Sequence, residues 1–313
     1  MAGKRTARSG DPDHHPGDTR RTAVHASRCE RTKGRNAQGP DPSTGDHCLN
    51  GEEGTQVKRF DLEGQTALVS GASRGIGRAI ALALAEAGAD VAVAARSSED
   101  LEALAGDITE MGVRGQAVQL DISATSTIPA AVAKVVDHLG TIDILFNVAG
   151  TNVRGAIEEI DEAQYDEVMD VNIKGAYFLC QEVGKGMMAQ KRGKVINIAS
   201  LTTAIGLAKV TVYTSSKGAL GQLTKGLAVE WGPHNIQVNA IAPGFILTDL
   251  NRKLWENQEM LDWATGRTPA GRLGSPDDIV GTAIYLASGA SDFVSGQILF
   301  VDGGIMAGSP WPL

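Results

Sequence analysis

"TALVSGASRGIGRAIALALAEAGA" spans Thr66 to Ala89, and its character changes twice along its length. Thr66–Val69 is a short apolar run with a β-branched residue at each end, which suits a buried strand. Gly71, Gly75 and Gly77 follow. From Arg78 the chain is rich in Ala and Leu, with apolar residues at helical intervals, and the run closes at Gly88. A strand, a glycine turn and a helix in that order let a phosphate group reach the backbone N–H groups at the positive end of the helix. The spacing is G-x-x-x-G-x-G and not G-x-G-x-x-G. Taken alone, the turn therefore fits a tight strand-to-helix joint as well as a nucleotide cradle.

The rest of the chain decides between these. Outward from this unit, strand candidates recur at Val91–Ala94, Ala117–Leu120, Ile142–Phe146, Val195–Ile198, Gln237–Ile241 and Ile298–Val301, with helical patterns between them. Strict alternation of this kind predicts an α/β fold with a parallel sheet covered on both faces. No Pro- or Ser-rich linker follows residue 60, so residues 60–313 are expected to form one domain. In such sheets ligands lie beyond the carboxyl ends of the strands, which directs attention to the residues found there.

After the second strand stands "AARSSED", where NAD-preferring folds place an acidic residue for the ribose 2′-hydroxyl and this chain has Ala95 and Arg96. A carboxylate would repel a 2′-phosphate. Arg96, with Arg74 inside the glycine turn, offers charge-assisted hydrogen bonds to it, unless both are merely solvated surface residues. NADP is the expected cofactor, with NAD possible. Asp121 and Ile122 follow the third strand at the adenine position, and "NVAG", Asn147 to Gly150, follows the fourth. "MDVNIKGAYF" places Asn172 in an otherwise apolar helical run, either as a satisfied structural amide or as a holder of ordered water. The fifth strand ends at Ser200. In "APGFILTD", Pro243 and Gly244 make a turn and Thr248 supplies a hydroxyl. Tyr213 and Lys217 in "YTSSK" share one helical face, and a fixed cation beside a phenol is expected to lower its pKa.

Charge separates the chain into two parts. Residues 1–59 carry eleven Lys and Arg against eight Asp and Glu, and residues 60–313 carry 18 against 29. The acidic globular part argues against nucleic acid or an anionic membrane as partner. Residues 1–59 contain no Phe, Tyr or Trp and a single Leu, so a disordered extension is expected. Its His14, His15, His25, Cys29, His47 and Cys48 lack the paired spacing of a zinc site, and no metal is expected. Three cysteines without a framework point to a reducing compartment and hence the cytoplasm. No apolar run approaches the roughly 20 residues of a membrane helix.

Over residues 60–307 the sequence resembles the short-chain dehydrogenase/reductase family, on "SGASRGIG", "NVAG", Asn172, Ser200, "YTSSK" and "PG" in the family's order and spacing. The resemblance implies a doubly wound Rossmann-type domain with a seven-stranded parallel sheet, and an oxidoreductase that moves hydride between NADP(H) and a secondary alcohol or ketone. It implies Tyr213 as general acid/base and Ser200 as holder of the substrate oxygen. Lys217 would bind the nicotinamide ribose and depress the Tyr213 pKa, while Asn172 would anchor a water-linked proton relay. Cofactor contacts fall on Gly71, Ser73, Arg74, Gly75, Ile76 and Gly77, then on Ala149, Gly150, Ile246 and Thr248. Ser70 stands for the family's usual Thr, and Val148 for its second Asn. Assembly as a homotetramer is expected, through helices around residues 172–189 and 213–231 and through the last strand.

"AGTNVRG", "DVNIKGAYFLCQ", "RTPAGRLGSPDD" and "SGQILFVDGG" point within the family to members that act on sugar acids. Arg154, after the fourth strand, suits a carboxylate, while Thr151, Asn152 and Thr202 suit a polyol, as in gluconate or its 5-keto form. Three alternatives are a 3-oxoacyl-carrier-protein reductase, a sugar 1-dehydrogenase and a nucleotide-sensing protein without catalysis. For the first of these, Lys185, Lys191, Arg192 and Lys194 are the candidate landing patch.

Overall fold

Seven strands form one parallel sheet in the order β3-β2-β1-β4-β5-β6-β7. They are β1 (Thr66–Ser70), β2 (Asp90–Ala95), β3 (Gly115–Gln119), β4 (Ile144–Asn147), β5 (Gly193–Ile198), β6 (Ile236–Pro243) and β7 (Ile298–Val301). The computed structural model describes residues 58–249, 251–308 and 311. The expected disordered extension lies outside these, apart from Lys58 and Arg59, which open a short 3-10 turn, Lys58–Phe60.

The five inner strands are buried on both sides, while the edge strands β3 and β7 are partly open, and alternate residues belong to different cores. Ala67, Val69, Val91, Val93, Ile144 and Phe146 join one cluster, completed by Ile80, Leu84, Leu104, Ile279 and Leu286. Those come from helices α1 (Gly75–Glu86), α2 (Ser98–Glu110) and α9 (Asp277–Ala287). Leu68, Ala92, Ala94 and Leu145 face the other way onto Val135, Leu179, Val183 and Trp231, contributed by α3 (Ile128–Leu139), α5 (Ala176–Gln190) and α6 (Thr211–Trp231). Period-two burial on strands and a single buried stripe on each helix give the three layers. In α1 that stripe is Gly77, Ile80, Ala81, Leu84 and Ala85.

The amino ends of the strands are tied by charge. Asp143, buried before β4, accepts the Thr66 N–H at 3.1 Å and Arg192 Nε at 2.9 Å. Lys194, buried at the start of β5, pairs with Asp292 at 2.7 Å.

Helix α4 (Glu162–Met169) runs into α5 through a wide π turn, Asp170–Gly175, where an uninterrupted helix was expected. The cause is tertiary. A Cβ on Gly175 would lie 2.5 Å from the Ile122 carbonyl oxygen, so this turn is pressed against the loop after β3. The remaining helices are α7 (Arg252–Trp255) and α8 (Gln258–Arg267).

Candidate active site

The strand order reverses direction between β1 and β4, which opens a crevice at their carboxyl ends. Ser70 joins the two sides. Its hydroxyl donates to the Phe146 carbonyl at 3.3 Å and accepts from the Val148 and Ala149 N–H groups at 3.2 and 3.4 Å. The serine thus holds the loop after β4 with a single oxygen.

The glycine turn forms the floor of the crevice. Gly71 and Gly75 have φ of 69° and 56°, in the left-handed region that favours glycine. A Cβ at Gly71 would stand 2.6 Å from Ala149 N, and one at Gly77 would stand 2.2 Å from the Gly71 oxygen. Thr248 lies across the turn, 3.5 Å from where a Gly75 Cβ would be. Bare backbone at the start of α1, with Ser73 and Ile76 half-buried beside it, fits a dinucleotide pyrophosphate. Ile246, buried, is fixed by a bridge to Gly274. Gly244 packs so closely on Asp302 that a Cβ would meet its Cα at 2.7 Å. At the far end Arg74 and Arg96 are exposed. The Asp121 carboxyl is held below its usual range by hydrogen bonds from Ser123 and, more weakly, by the charge of Arg96.

The Asn147 side chain turns into the protein. Its Nδ2 donates to Asn197 Oδ1 at 2.9 Å and to Cys180 Sγ at 3.1 Å, and Asn197 in turn donates to Thr224 at 2.9 Å. Only its backbone is left for the crevice.

The loops after β4 and β5 and helix α6 bring Asn172, Ser200, Tyr213 and Lys217 together. Asn172, buried in the π turn, accepts the Thr151 N–H at 2.8 Å and donates to the Thr151 carbonyl at 2.9 Å and Ser216 Oγ at 3.0 Å. Both its side-chain N–H bonds are used, so the relay water that the resemblance implies is left with acceptors alone, Oδ1 and the backbone carbonyl. Ser200 caps a 3-10 turn, with its Oγ accepting from Thr202 N–H at 3.1 Å. Lys217 is buried and donates to the Ile198 carbonyl at 2.7 Å. Burial brings its ammonium down to about 8.

The expected lowering of the Tyr213 pKa by Lys217 is not what this geometry produces. Burial dominates and holds the phenol above its ordinary value, with a hydrogen bond from Ser200 and the charge of Arg154 pulling against it. Lys217 Nζ stands over the ring face, 5.8 Å from its centroid. Arg154 itself is exposed at the mouth of the site.

Sequence reasoning did not pick out Ser216 or the Ile198 carbonyl as partners of Asn172 and Lys217. Ser216 was within reach, because it lies in "YTSSK" one residue from Lys217. A backbone carbonyl leaves no sequence signal. The basic residues proposed as a landing patch are mostly committed elsewhere: Lys185 to Glu182, Arg192 to Asp143 and Lys194 to Asp292. Among the described residues no helix is long and apolar enough to cross a membrane.

A parallel sheet with a glycine-turn crevice and a Ser, Tyr and Lys set at its carboxyl edge defines an oxidoreductase of the nicotinamide class, and residues 71–306 match the family model described as enoyl-(acyl carrier protein) reductase. The chain belongs to the short-chain dehydrogenase/reductase family. It is 39% identical over 246 residues to gluconate 5-dehydrogenase of Gluconobacter oxydans, covering 79% of this chain and 96% of that protein. To 2-dehydro-3-deoxy-D-gluconate 5-dehydrogenase of Pseudoalteromonas atlantica it is 43% identical over 254 residues, 80% and 99% of the two chains. The crystal structure of a gluconate 5-dehydrogenase from Burkholderia cenocepacia in complex with NADP and tartrate superposes with a TM-score of 0.79 at 39% identity, covering 80% of this chain and 99% of that one.

Proposed function

We propose that residues 60–313 act as one catalytic domain that uses NADP(H) to interconvert a secondary alcohol and a ketone on a sugar acid of the gluconate and 5-ketogluconate type. The observation that carries this is Arg154. It is open to solvent, yet its charge reaches the Tyr213 phenol, so a carboxylate seated on it lays a polyol chain across the reacting groups. The names of the relatives and the NADP bound in the Burkholderia structure support the same substrate and cofactor.

When bound, the nicotinamide supplies a hydride to the carbonyl carbon or takes one from the carbinol. Ser200 presents its O–H to the substrate oxygen, its Oγ being held by the Thr202 N–H. Tyr213 gives its proton to that oxygen during reduction and recovers it during oxidation. Its raised pKa keeps the phenol protonated at neutral pH, which suits the donor role. Lys217 spends one N–H on Ile198, leaving two donors for the nicotinamide ribose. Asn172 fixes Thr151 and with it the loop that bears Arg154. Arg74 and Arg96 take the 2′-phosphate.

Exposed Tyr165, Tyr177, Phe178 and Val229 on α4, α5 and α6 support assembly as a homotetramer through those helices, which sedimentation measures. The unpaired, buried Cys180 is consistent with a cytoplasmic setting.

The test is NADPH consumption with 5-keto-D-gluconate and with a 3-oxoacyl thioester, before and after Arg154→Ala. The substitution is expected to raise KM for the keto acid about tenfold or more. If KM stays unchanged and the thioester proves the better substrate, the sugar-acid assignment is lost.

A further inference from the structure

Ser216 lies past the first turn of α6, with its side chain fully buried. Alanine favours a helix interior over serine, so a buried hydroxyl there is stabilised only by its partners. Ser216 has two. Its O–H donates to the Tyr213 carbonyl at 2.7 Å, one turn back on the same helix. Its Oγ accepts from Asn172 Nδ2 at 3.0 Å. Among the described residues this is the one hydrogen bond that joins the π turn, Asp170–Gly175, to α6.

The direction of this bond matters. The Ser216 proton is given to the Tyr213 carbonyl, so the oxygen accepts and faces the amide nitrogen of Asn172. The Thr151 N–H and carbonyl select the same orientation from the other side. Oδ1 is thereby turned toward Gly150, where an added Cβ would lie 3.4 Å from it and 3.5 Å from Lys217 Nζ. The Asn172 oxygen and the Lys217 ammonium thus border one point beside Gly150. The two Thr151 bonds hold Asn172 against the loop after β4. The Ser216 bond holds it against the helix that carries Tyr213 and Lys217.

We propose that Ser216 is a positioning residue that keeps Asn172 Oδ1 in register with Tyr213 and Lys217. Tyr213 gives one proton to the substrate oxygen in each reduction, and water held by Asn172 then returns one. With Ser216 in place that return keeps pace with turnover. The inference rests on the dehydrogenase reading of the site, and on no particular substrate.

Thr224, about two turns further along α6, supplies the comparison. It too is fully buried, accepts from Asn197 Nδ2 at 2.9 Å and donates to the Leu220 carbonyl at 2.9 Å. Alanine at either position therefore removes the same two kinds of bond, but only one of them near Tyr213. In the full chain with NADPH and 5-keto-D-gluconate, well below the melting temperatures, Ser216→Ala is expected to lower kcat about tenfold with KM and NADPH affinity held within about twofold. The ratio of kcat in H2O to kcat in D2O should rise in that variant, because return of the proton then limits turnover. Thr224→Ala should lose a comparable amount of melting temperature and keep both kcat and the isotope ratio. Ser216→Cys keeps the size of the side chain and replaces the hydroxyl by a weak acceptor, so its kcat should fall between the two, and it carries the test if the alanine variant does not fold. Equal kcat losses in the two alanine variants, an unchanged isotope ratio, or a loss seen in KM alone overturns the inference. Failure of the unsubstituted protein to reduce any ketone with NADPH overturns the dehydrogenase reading instead, and is seen before any variant is made.

Discussion

Tyr213 holds its proton more tightly than a free phenol, and phenylalanine there removes that proton and little else. Tyr213→Phe should lower kcat by about 10²–10⁴-fold with NADPH affinity near normal, as single-turnover rates and a binding titration would show. Lys217 gives a pH signature. Its ammonium is lowered by burial from 10.5 to about 8, so between those values the unfolded chain binds a proton that the folded protein lacks. Stability without cofactor should therefore rise as pH climbs through that window, and Lys194, lowered mainly by burial too, acts in the same direction. Activity should do the opposite and fall above about pH 8, because the neutral amine no longer makes charge-assisted hydrogen bonds to the nicotinamide ribose. Melting temperatures and kcat/KM measured on one pH series would test both signs. The Tyr213–Lys217 pairing was legible from its spacing. The sign of the phenol's shift was not, since burial depends on chain segments far away in sequence.

At the scale of elements, the glycine turn is the part least tolerant of change. Gly77→Ala would drive a Cβ to 2.2 Å from the Gly71 oxygen, a clash with backbone that must spread the turn. NADPH binding is expected to weaken by about a hundredfold, with a smaller loss of melting temperature, as calorimetry can read. All seven strands were visible as β-rich runs, the inner ones because burial on both faces demands continuous apolar sequence. Their edges were less so: β3 begins at Gly115 and not at Ala117, because its ladder pairs Gly115 with Val91. The π turn at Asp170–Gly175 was not legible at all. Local periodicity reads as one helix, and what widens the turn is contact with Ile122, some fifty residues away.

At the scale of the whole molecule, composition predicts that residues 1–56 add little to the catalytic domain, having almost no apolar surface to contribute. Their removal should leave melting temperature and kcat/KM unchanged, and a lower melting temperature in the truncated protein would refute this. The family and the doubly wound sheet were readable in advance, because order and spacing of motifs along the chain encode them. The inward turn of Asn147, the bond from Asn172 to Ser216 and the ion-paired state of Arg192 and Lys194 emerge only when distant segments meet. Those ion pairs, with Asp143, all sit at the amino ends of the strands, whereas the glycine-turn crevice and the proposed catalytic residues sit at the carboxyl ends. The fold therefore keeps its foundations and its chemistry on opposite sides of the sheet. A chimera that exchanges residues 151–160 and 251–262 for the equivalent loops of a relative with another substrate should inherit that relative's substrate choice while keeping its own melting temperature, because the grafts leave the anchoring charges untouched.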